Sequence, residues 1–251
     1  MEGGHRSNQD GLRSFIEAAR EIGECIEIKD ADWDLEIGTV TEAAAEKIDE
    51  PPMLLFDRIK DYPEGFRVVC LPLASRKRVA LILDLPLDKS KLELTRLAAR
   101  KISGAKPLPP REVADGPVME NVIAGKDMDL FKFPVLRCHT GDGGRYIGSG
   151  DSLINRDPDS GYVNVGTYRM QVHSPDLLGL WMSPGQQGRA ICERYWAEGK
   201  ACPVVATFGG DPGSPIVNAT VPLFDTENSP AEYGRSSPPP ARSAAIGVIF
   251  P

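Results

Sequence analysis

The segment Ile147–Gln187 reads IGSGDSLINRDPDSGYVNVGTYRMQVHSPDLLGLWMSPGQQ and decides the fold prediction. It contains two β-rich runs, Ile147–Ile154 and Tyr162–Val172. The turn between them holds Pro158, which presets a turn conformation, and Gly161, which accepts a positive φ. The segment therefore predicts a β-hairpin.

The second strand of this hairpin carries most of the polar residues of interest. Side chains alternate between the two faces of a sheet. One face then carries Asn164, Gly166 and Tyr168, and the other carries Val165, Thr167 and Arg169. Asn164 and Arg169 can reach one ligand only where the strand ends or is bulged, and Gly166 is the expected position of that bulge.

A helix is predicted over Gln187–Glu198, shortly after the hairpin. Ile191, Tyr195 and Trp196 occur at helical spacing within it. Gly199 follows at the position where a helix commonly ends in a residue with positive φ. The segment thus has both a periodic apolar face and a stop signal.

The start of this helix follows the turn Ser183-Pro184-Gly185. A helix N-terminus offers unpaired backbone N–H groups and the positive end of the helix dipole to an anion. Hairpin and helix together predict a cradle for a phosphate-bearing ligand. Each piece also has a purely structural interpretation, in which Arg169 forms a surface ion pair and the Pro-Gly pair forms an ordinary turn.

The first part of the chain predicts an α/β domain. An amphipathic helix is expected over residues 10–23, with Asp10 as the N-cap and an apolar face of Leu12, Phe15, Ile16, Ala19 and Ile22. The further predicted elements are strands at Cys25–Ile28, Met53–Phe56 and Phe66–Leu71 and helices near Glu36–Lys47 and Lys89–Ile102. The basic run Arg76-Lys77-Arg78 is interpreted as a solvated turn.

A stiff proline-rich connector, residues 106–110, ends this domain. From Val118 onward the chain is rich in strand formers with Gly and Pro punctuation, as a barrel would be. We therefore divide the chain into an α/β domain at 1–112, a barrel-like domain at 113–233 and a tail at 234–251. Three consecutive prolines, residues 238–240, forbid a helix in the tail, which we interpret as an aberrant end, with a flexible linker as the alternative.

Composition excludes several classes of protein. The 251 residues carry a net charge of −7, which argues against nucleic acid or an anionic membrane as a partner. The five cysteines are odd in number and lack a C-x-x-C pair, so neither a disulfide framework nor a cysteine zinc site is indicated. No apolar run approaches the roughly 20 residues of a membrane helix, and the N-terminus is unlike a signal peptide. The expected location is cytoplasmic.

Five motifs in order give a more specific indication. They are Asp142–Ile147, Asn164–Gln171, Pro184–Gln187, Phe208–Pro212 and Ala231–Tyr233. Together with the N-terminal Leu12–Ile16 region, this series resembles the UbiD-like family of decarboxylases that depend on prenylated flavin mononucleotide (prFMN). The resemblance covers residues 10–233. It implies an α+β fold in which an N-terminal α/β domain precedes a split β-barrel flavin-binding domain.

The resemblance also assigns roles to residues. Asn164 and Glu232 would ligate a divalent metal, typically manganese with potassium as a second candidate ion, that bridges to the cofactor phosphate. Arg169 would lie at the reactive ring as the catalytic residue. The residues implied in cofactor binding are Asn164, Val165, Gly166, Thr167, Tyr168, Arg169, Gln186, Gln187 and Glu232. Oxygen donors such as these suit a hard cation.

Two departures from the family pattern are visible. Where the family has a histidine as third metal ligand, this chain has Gln187, whose neutral carbonyl oxygen is a weaker ligand for a transition metal. Family members also continue into a C-terminal domain that carries the glutamates that pair with the arginine and donate the proton. No residue of this chain matches those glutamates, so we expect a truncated form, without that domain and with reduced or no activity.

The implied reaction is the non-oxidative decarboxylation of an aromatic or α,β-unsaturated carboxylic acid. The expected partners are this small acid, a flavin prenyltransferase that supplies the cofactor, and further copies of the chain in a homo-oligomer. Two alternatives remain from other classes. One is a flavin-binding redox or carrier module, and the other is a non-catalytic subunit that needs a partner chain.

Overall fold

The computed structural model describes residues 11–105, 113–114, 116–148 and 150–213. These residues form two compact units, one from 11–105 with 130–145 and one from 113–129 with 146–213. Both units mix helices with small sheets, so the predicted α+β class is confirmed. The predicted tail at 234–251 and the predicted metal ligand Glu232 lie outside the described residues.

The first unit contains a three-stranded sheet in the order β1-β2-β3, with β1 parallel and β3 antiparallel to β2. Its elements are α1 (Leu12–Glu21), β1 (Cys25–Lys29), α2 (Glu36–Lys47), β2 (Met53–Asp57), β3 (Val68–Cys70), α3 (Arg76–Ile82) and α4 (Lys91–Ser103). Helix α4 begins with a capping box between Ser90 and Glu93.

The central strand β2 is buried on both faces. Met53 and Leu55 pack with Phe15, Ile16 and Ala19 of α1 on one side of the sheet. The alternate residues of β2, Leu54 and Phe56, pack on the other side with Ile37 of α2 and with Ala31, Ile59 and Leu136. Because side chains alternate along a strand, two apolar clusters share one strand. A continuous apolar run suits this position.

Most predicted elements of this unit are confirmed, with small shifts at their ends. Helix α2 has the predicted bounds, and the buried residues of α1 all belong to its predicted apolar face. Gly11 is the N-cap of α1, whereas the predicted N-cap Asp10 lies outside the described residues. Strand β3 is three residues long, shorter than the predicted Phe66–Leu71.

The interpretation of the basic run as a solvated turn is wrong. Arg76–Ile82 is a helix whose N-cap, Ser75, accepts a hydrogen bond from the Arg78 backbone N–H. The Arg78 side chain is fully buried. Burial is tolerated because every guanidinium nitrogen donates to a protein oxygen.

Arg78 connects three separate segments of the chain. Its Nη1 donates to the Glu24 backbone oxygen (3.2 Å) and to Glu24 Oε2 (2.8 Å). Its Nη2 donates to the carbonyls of Pro51 (2.6 Å) and Leu71 (3.0 Å), and its Nε donates to that of Pro72 (3.0 Å). The carbonyls of Pro51, Leu71 and Pro72 lie just before β2 and just after β3, which are antiparallel, so one side chain fixes one end of the sheet.

The segment Leu130–Arg145 packs with the first unit, although the sequence-based division assigns it to the second domain. Arg137 forms a parallel bridge with Asp34. A Cβ at Gly38 would lie 2.3 Å from the Cys138 carbonyl oxygen, so α2 approaches the segment closely only because residue 38 is glycine. The Arg145 guanidinium lies 3.7 Å from the ring centroid of Trp33, a cation–π contact.

The second unit is built from short strands and one helix. Its elements are β4 (Arg145–Gly148), β5 (Ser152–Arg156), β6 (Val163–Thr167), β7 (Arg169–Ser174), β8 (Leu177–Trp181), α5 (Gln187–Ala197) and β9 (Val204–Thr207). The sheets have the orders β4-β7-β8 and β6-β5-β9. The predicted hairpin is confirmed in its central part as the antiparallel pair β5–β6. The predicted continuous strands are wrong, because Ile147–Ile154 is divided between β4 and β5 and Tyr162–Val172 between β6 and β7, which lie in different sheets. In the described part of the chain these sheets do not close into a barrel.

The described helices are all too short or too polar to cross a lipid bilayer.

We predict that Arg78→Met lowers the free energy of unfolding by about 3–5 kcal/mol, because it leaves the Glu24 carboxylate and four main-chain carbonyls without their donor. Urea denaturation followed by circular dichroism measures this change. Lys77→Met is the matched control, since Lys77 is 41% exposed in its ion pair with Glu24; its cost is expected below about 1 kcal/mol. Equal effects of the two substitutions would contradict a structural role for Arg78.

Candidate functional site

The predicted alternation of side chains along β6 is confirmed. Asn164 is 2% exposed and Tyr168, directly after the strand, is 6% exposed, whereas Val165 is 37% exposed. Thr167 and Arg169 are also exposed. The buried face of β6 is directed to α5, and the exposed face carries the other predicted cofactor contacts of the strand.

The expected bulge at Gly166 is wrong. Gly166 pairs with Leu153 within an uninterrupted β5–β6 register. The chain instead changes sheets at Tyr168, which separates β6 from β7. Gly166 is needed for a different reason, because a Cβ there would lie 2.6 Å from the Tyr168 ring.

Helix α5 makes its closest approach to β6 at its first turn. The Gly188 backbone N–H donates to the Tyr168 hydroxyl oxygen (3.2 Å). A Cβ at Gly188 would lie 2.4 Å from that oxygen. One of the N–H groups that the sequence predicts for anion binding is therefore already used within the protein.

The rest of α5 follows the prediction in part. Gly199 has a φ of 69°, as expected for a residue that ends a helix. The inner face of α5 consists of Gly188, Ile191 and Cys192. Trp196, which was predicted to belong to the apolar face, is 49% exposed and lies beneath the Arg189 guanidinium at 4.9 Å.

Two buried asparagines connect the hairpin to α5. Asn155 and Asn164 are directly opposite each other in the β5–β6 register, and they are 3% and 2% exposed. Asn164 Nδ2 donates to Asn155 Oδ1 (3.0 Å), and Asn155 Nδ2 donates to the Gly188 carbonyl (3.0 Å). Asn164 Oδ1 accepts no hydrogen bond from the part of the chain that the structure describes. A buried acceptor without a donor calls for an explanation, and a bound cation is one.

Gln187 lies one residue before this contact, at the start of α5. Its Oε1 accepts a long hydrogen bond from the Tyr162 hydroxyl (3.4 Å), and the residue is otherwise exposed. The described residues contain no cluster of three or more His, Cys, Asp or Glu side chains placed to hold a metal. The possible metal ligands near the first turn of α5 are the side-chain amide oxygens of Asn164 and Gln187, which suit a hard cation.

Two other residues predicted to contact the cofactor, Gln186 and Arg169, are exposed. Gln186 is exposed, although its Oε1 accepts a hydrogen bond from the Ser183 N–H (3.0 Å). Arg169 is exposed and pairs across the β7–β8 ladder with Trp181, which is 68% exposed. Trp181 was not predicted as a site residue, since its place opposite Arg169 depends on the β7–β8 register.

The hairpin turn is fixed to α5 by Asp157. Its carboxylate accepts hydrogen bonds from the Ser160 hydroxyl (2.8 Å), the Asp159 N–H (3.2 Å) and the Arg194 guanidinium of α5. Burial raises the pKa of this carboxyl, but these bonds outweigh burial, so the net pKa lies below its ordinary value. The turn therefore carries a buried charge that is fully paired.

The Phe208–Pro212 motif ends a strand. Phe208 packs against the apolar cluster of the second unit, and Gly209 has a φ of 63°. The Gly209 N–H donates to Asp151 Oδ1 (3.2 Å). Burial raises the pKa of the Asp151 carboxyl to about 6, and this backbone hydrogen bond offsets only part of the rise.

We predict that Gly188→Ala destabilises the protein by about 1–3 kcal/mol through overpacking against Tyr168. Ordinarily Ala is favoured over Gly inside a helix by about 1 kcal/mol. Thermal and urea unfolding measure the change. Gly210→Ala is the control, because a Cβ there meets no atom within 4 Å. A stabilised Gly188→Ala protein would show that α5 does not need this close approach.

We predict that Asp151 makes the protein more stable in acid than at neutral pH. Its folded-state pKa is raised to about 6, so the stabilisation is complete below the ordinary pKa and is lost as the pH rises through 6. Asp151→Asn should therefore be more stable than the parent protein at pH 7.5, by about 1–2 kcal/mol, and gain little at pH 4. Urea unfolding at both pH values measures this difference.

The control for Asp151 is Asp88→Asn, since the Asp88 side chain is 78% exposed. The loss of one surface carboxylate should leave the difference from the parent protein nearly the same at the two pH values. An equal gain of Asp151→Asn at pH 4 and pH 7.5 would contradict the raised pKa.

Most of the chain matches two domain models of one carboxy-lyase. Residues 111–231 match the model of the 3-octaprenyl-4-hydroxybenzoate carboxy-lyase Rift-related domain, and residues 16–98 match the N-terminal domain of the same carboxy-lyase. The pyrrole-2-carboxylic acid decarboxylase of Pseudomonas aeruginosa is 30% identical over 220 residues, which cover 84% of this chain and 44% of that protein.

Two solved structures are similar in fold. The vanillic acid decarboxylase of Sedimentibacter hydroxybenzoicus in its closed form has a TM-score of 0.76 at 31% identity, over 83% of this chain and 44% of that one. An evolved dimeric form of a UbiD-class enzyme of Pelotomaculum thermopropionicum, in complex with prFMN, has a TM-score of 0.73 at 27% identity, over 92% and 51%. The chain spans about half the length of the curated relatives it matches. The two domain matches, which together span more than half of the chain, show that the chain belongs to the UbiD family.

Proposed function

We propose that this chain binds prFMN together with a divalent metal and serves the non-oxidative decarboxylation of an aromatic or α,β-unsaturated carboxylic acid. The observation that carries the proposal is the buried amide oxygen of Asn164, which lies beside the first turn of α5 and has no donor in the described residues. The names of the relatives support the reaction, since they act on pyrrole-2-carboxylic, phenolic and vanillic acids.

The metal would be held by oxygen atoms. Among the described residues, the proposed metal ligands are Asn164 Oδ1 and Gln187 Oε1. Glu232 would add a carboxylate. Mn²⁺ is the proposed ion at this set, with K⁺ as a second ion. Such cations accept oxygen ligands, and the carboxylate would add the negative charge that neutral amide oxygens lack.

The cofactor would lie along the end of β6 and the start of α5. The proposed contacts in addition to the metal ligands are Val165, Gly166, Thr167, Tyr168, Arg169 and Gln186. The positive end of the α5 dipole favours a phosphate there, even though Tyr168 already occupies the Gly188 N–H. When bound, prFMN supplies the electron sink that loss of carbon dioxide requires.

Arg169 is the proposed catalytic residue of this chain. Its guanidinium is exposed, so it is open to a ligand, and it offers N–H donors in a fixed planar arrangement. Its planar fork can hold a substrate carboxylate through two parallel hydrogen bonds. The neighbouring Trp181 would offer a ring face to an aromatic acid.

The partners follow from the same proposal. A flavin prenyltransferase would supply the cofactor in the cytoplasm, and the chain would form a homo-oligomer, in line with the dimeric form of one similar enzyme. The relatives named here are decarboxylases, so a redox or carrier module is not favoured.

The proposal is tested with protein produced together with a flavin prenyltransferase and supplied with Mn²⁺. We expect the purified chain to retain flavin by its absorbance spectrum and manganese by elemental analysis. Addition of pyrrole-2-carboxylic, vanillic or ferulic acid should change the flavin spectrum, and chromatography measures whether decarboxylated product accompanies that change. Folded protein that retains neither flavin nor manganese would refute the proposal.

We predict that Gln187→His raises the affinity for Mn²⁺ about tenfold, because imidazole is a better ligand than a neutral amide oxygen for a transition metal. Titration followed by the electron paramagnetic resonance signal of free Mn²⁺ measures the dissociation constant. Gln186→His is the matched control, since it adds an imidazole one residue away from the proposed ligand and should leave the constant unchanged. Equal effects at both positions would show that residue 187 is not a ligand.

A further inference from the structure

We propose that Asn155 is a positioning residue that turns the amide of Asn164 so that its oxygen is presented to the metal. This inference rests on the proposed function, because it concerns the same metal ligand. Asn155 lies on β5, does not belong to the motifs that indicate the family, and is opposite Asn164 in the β5–β6 register.

One group beside the two asparagines has a fixed hydrogen-bonding role. The Gly188 carbonyl can only accept a hydrogen bond. It lies 3.0 Å from the amide nitrogen of Asn155. Asn155 must therefore direct its NH₂ group to α5, and the Cys192 sulfur at 3.6 Å accepts from the same nitrogen. The opposite orientation would bring two acceptors together at a buried site.

The orientation of Asn155 then determines that of Asn164. With its NH₂ group directed to α5, Asn155 presents its oxygen to Asn164 at 3.0 Å. An oxygen acceptor requires a donor, so Asn164 must direct its own NH₂ group to Asn155. The Asn164 oxygen is then left on the other side of the amide, free of any donor among the described residues. The Gly188 carbonyl of α5 therefore determines, through the amide of Asn155, that Asn164 presents its oxygen and not its nitrogen to the metal.

Burial makes this selection effective. Both asparagines are at most 3% exposed, so water does not compensate a reversed amide. Asn164 Nδ2 also lies near Gly188, whose added Cβ would be 3.2 Å away, which leaves little room for another rotamer. Partners that orient a metal ligand typically change metal affinity 10–100-fold when they are removed.

The first test measures the Mn²⁺ dissociation constant of the whole chain by the resonance signal of free Mn²⁺. Asn155→Leu removes the acceptor and should weaken Mn²⁺ binding about 10–100-fold. Cys192→Ala is the matched control, because it removes a sulfur that accepts from Asn155 and leaves the bond to Asn164; its constant should stay within about threefold. Unchanged binding by folded Asn155→Leu would overturn the inference.

A second variant, Asn155→Asp, tests the same role of Asn155 if Asn155→Leu does not fold. Asn155→Asp retains an acceptor for Asn164 but places a carboxylate against the Gly188 carbonyl. We expect it to have a lower melting temperature and yet bind Mn²⁺ at least as tightly as the parent protein. A purely structural role would predict weaker binding whenever the melting temperature falls, and that result would overturn the inference.

The decisive comparison uses Asn164→Asp, whose carboxylate has two equivalent oxygens and needs no orientation. In that background Asn155→Leu should change the Mn²⁺ constant less than about threefold. A loss as large as in the parent background would overturn the inference. The proposed function fails in a different way, namely if the parent protein and Asn164→Ala bind Mn²⁺ equally.

Discussion

The close approach of α5 to β6 at Gly188 is the constraint on which the candidate site depends. A side chain at that position would meet the Tyr168 hydroxyl at 2.4 Å. Because residue 188 has none, its N–H reaches Tyr168 and its carbonyl reaches Asn155. These two bonds fix the aromatic residue that separates two sheets and the amide that faces Asn164. A single helical turn therefore organises both ends of β6.

The two units use buried polar side chains in opposite ways. Arg78 is fully buried and donates to five oxygen atoms, four of them main-chain carbonyls, so it is satisfied within the protein. Asn164 is equally buried, but only its nitrogen has a partner among the described residues. Complete pairing is what structural stability requires, whereas an unpaired buried acceptor calls for an explanation such as a bound ion or water. This contrast is the physical reason for assigning Arg78 a structural role and for proposing Asn164 as a ligand.

Sequence patterns predicted the elements whose signal is local. The bounds of α2, the apolar face of α1 and the alternation along β6 follow from hydrophobic periodicity, and all three are confirmed. The burial of Arg78 was missed because its partners are carbonyls from distant segments, which no local pattern reveals. The return of Leu130–Arg145 to the first unit depends on the close contact at Gly38 and was missed for the same reason.

The residues of the candidate site also divide into those that local sequence patterns reveal and those whose position depends on contacts between distant segments. Asn164, Gln187 and Arg169 could be chosen from motifs, and the turn residues fixed the hairpin that carries Asn164. Asn155 could have been found from the hairpin register, since it faces Asn164 directly. The position of Tyr168 between two sheets could not have been found from the sequence, because it depends on how β6 and β7 pair with other strands.

The cross-strand pair of Arg169 and Trp181 has a practical consequence. Trp181 is 68% exposed and lies directly opposite the proposed catalytic arginine. An indole in this place emits light in a range that a flavin absorbs, so a flavin bound nearby would quench it by energy transfer. If the flavin binds as proposed, the fluorescence of Trp181 would report its binding without any added label.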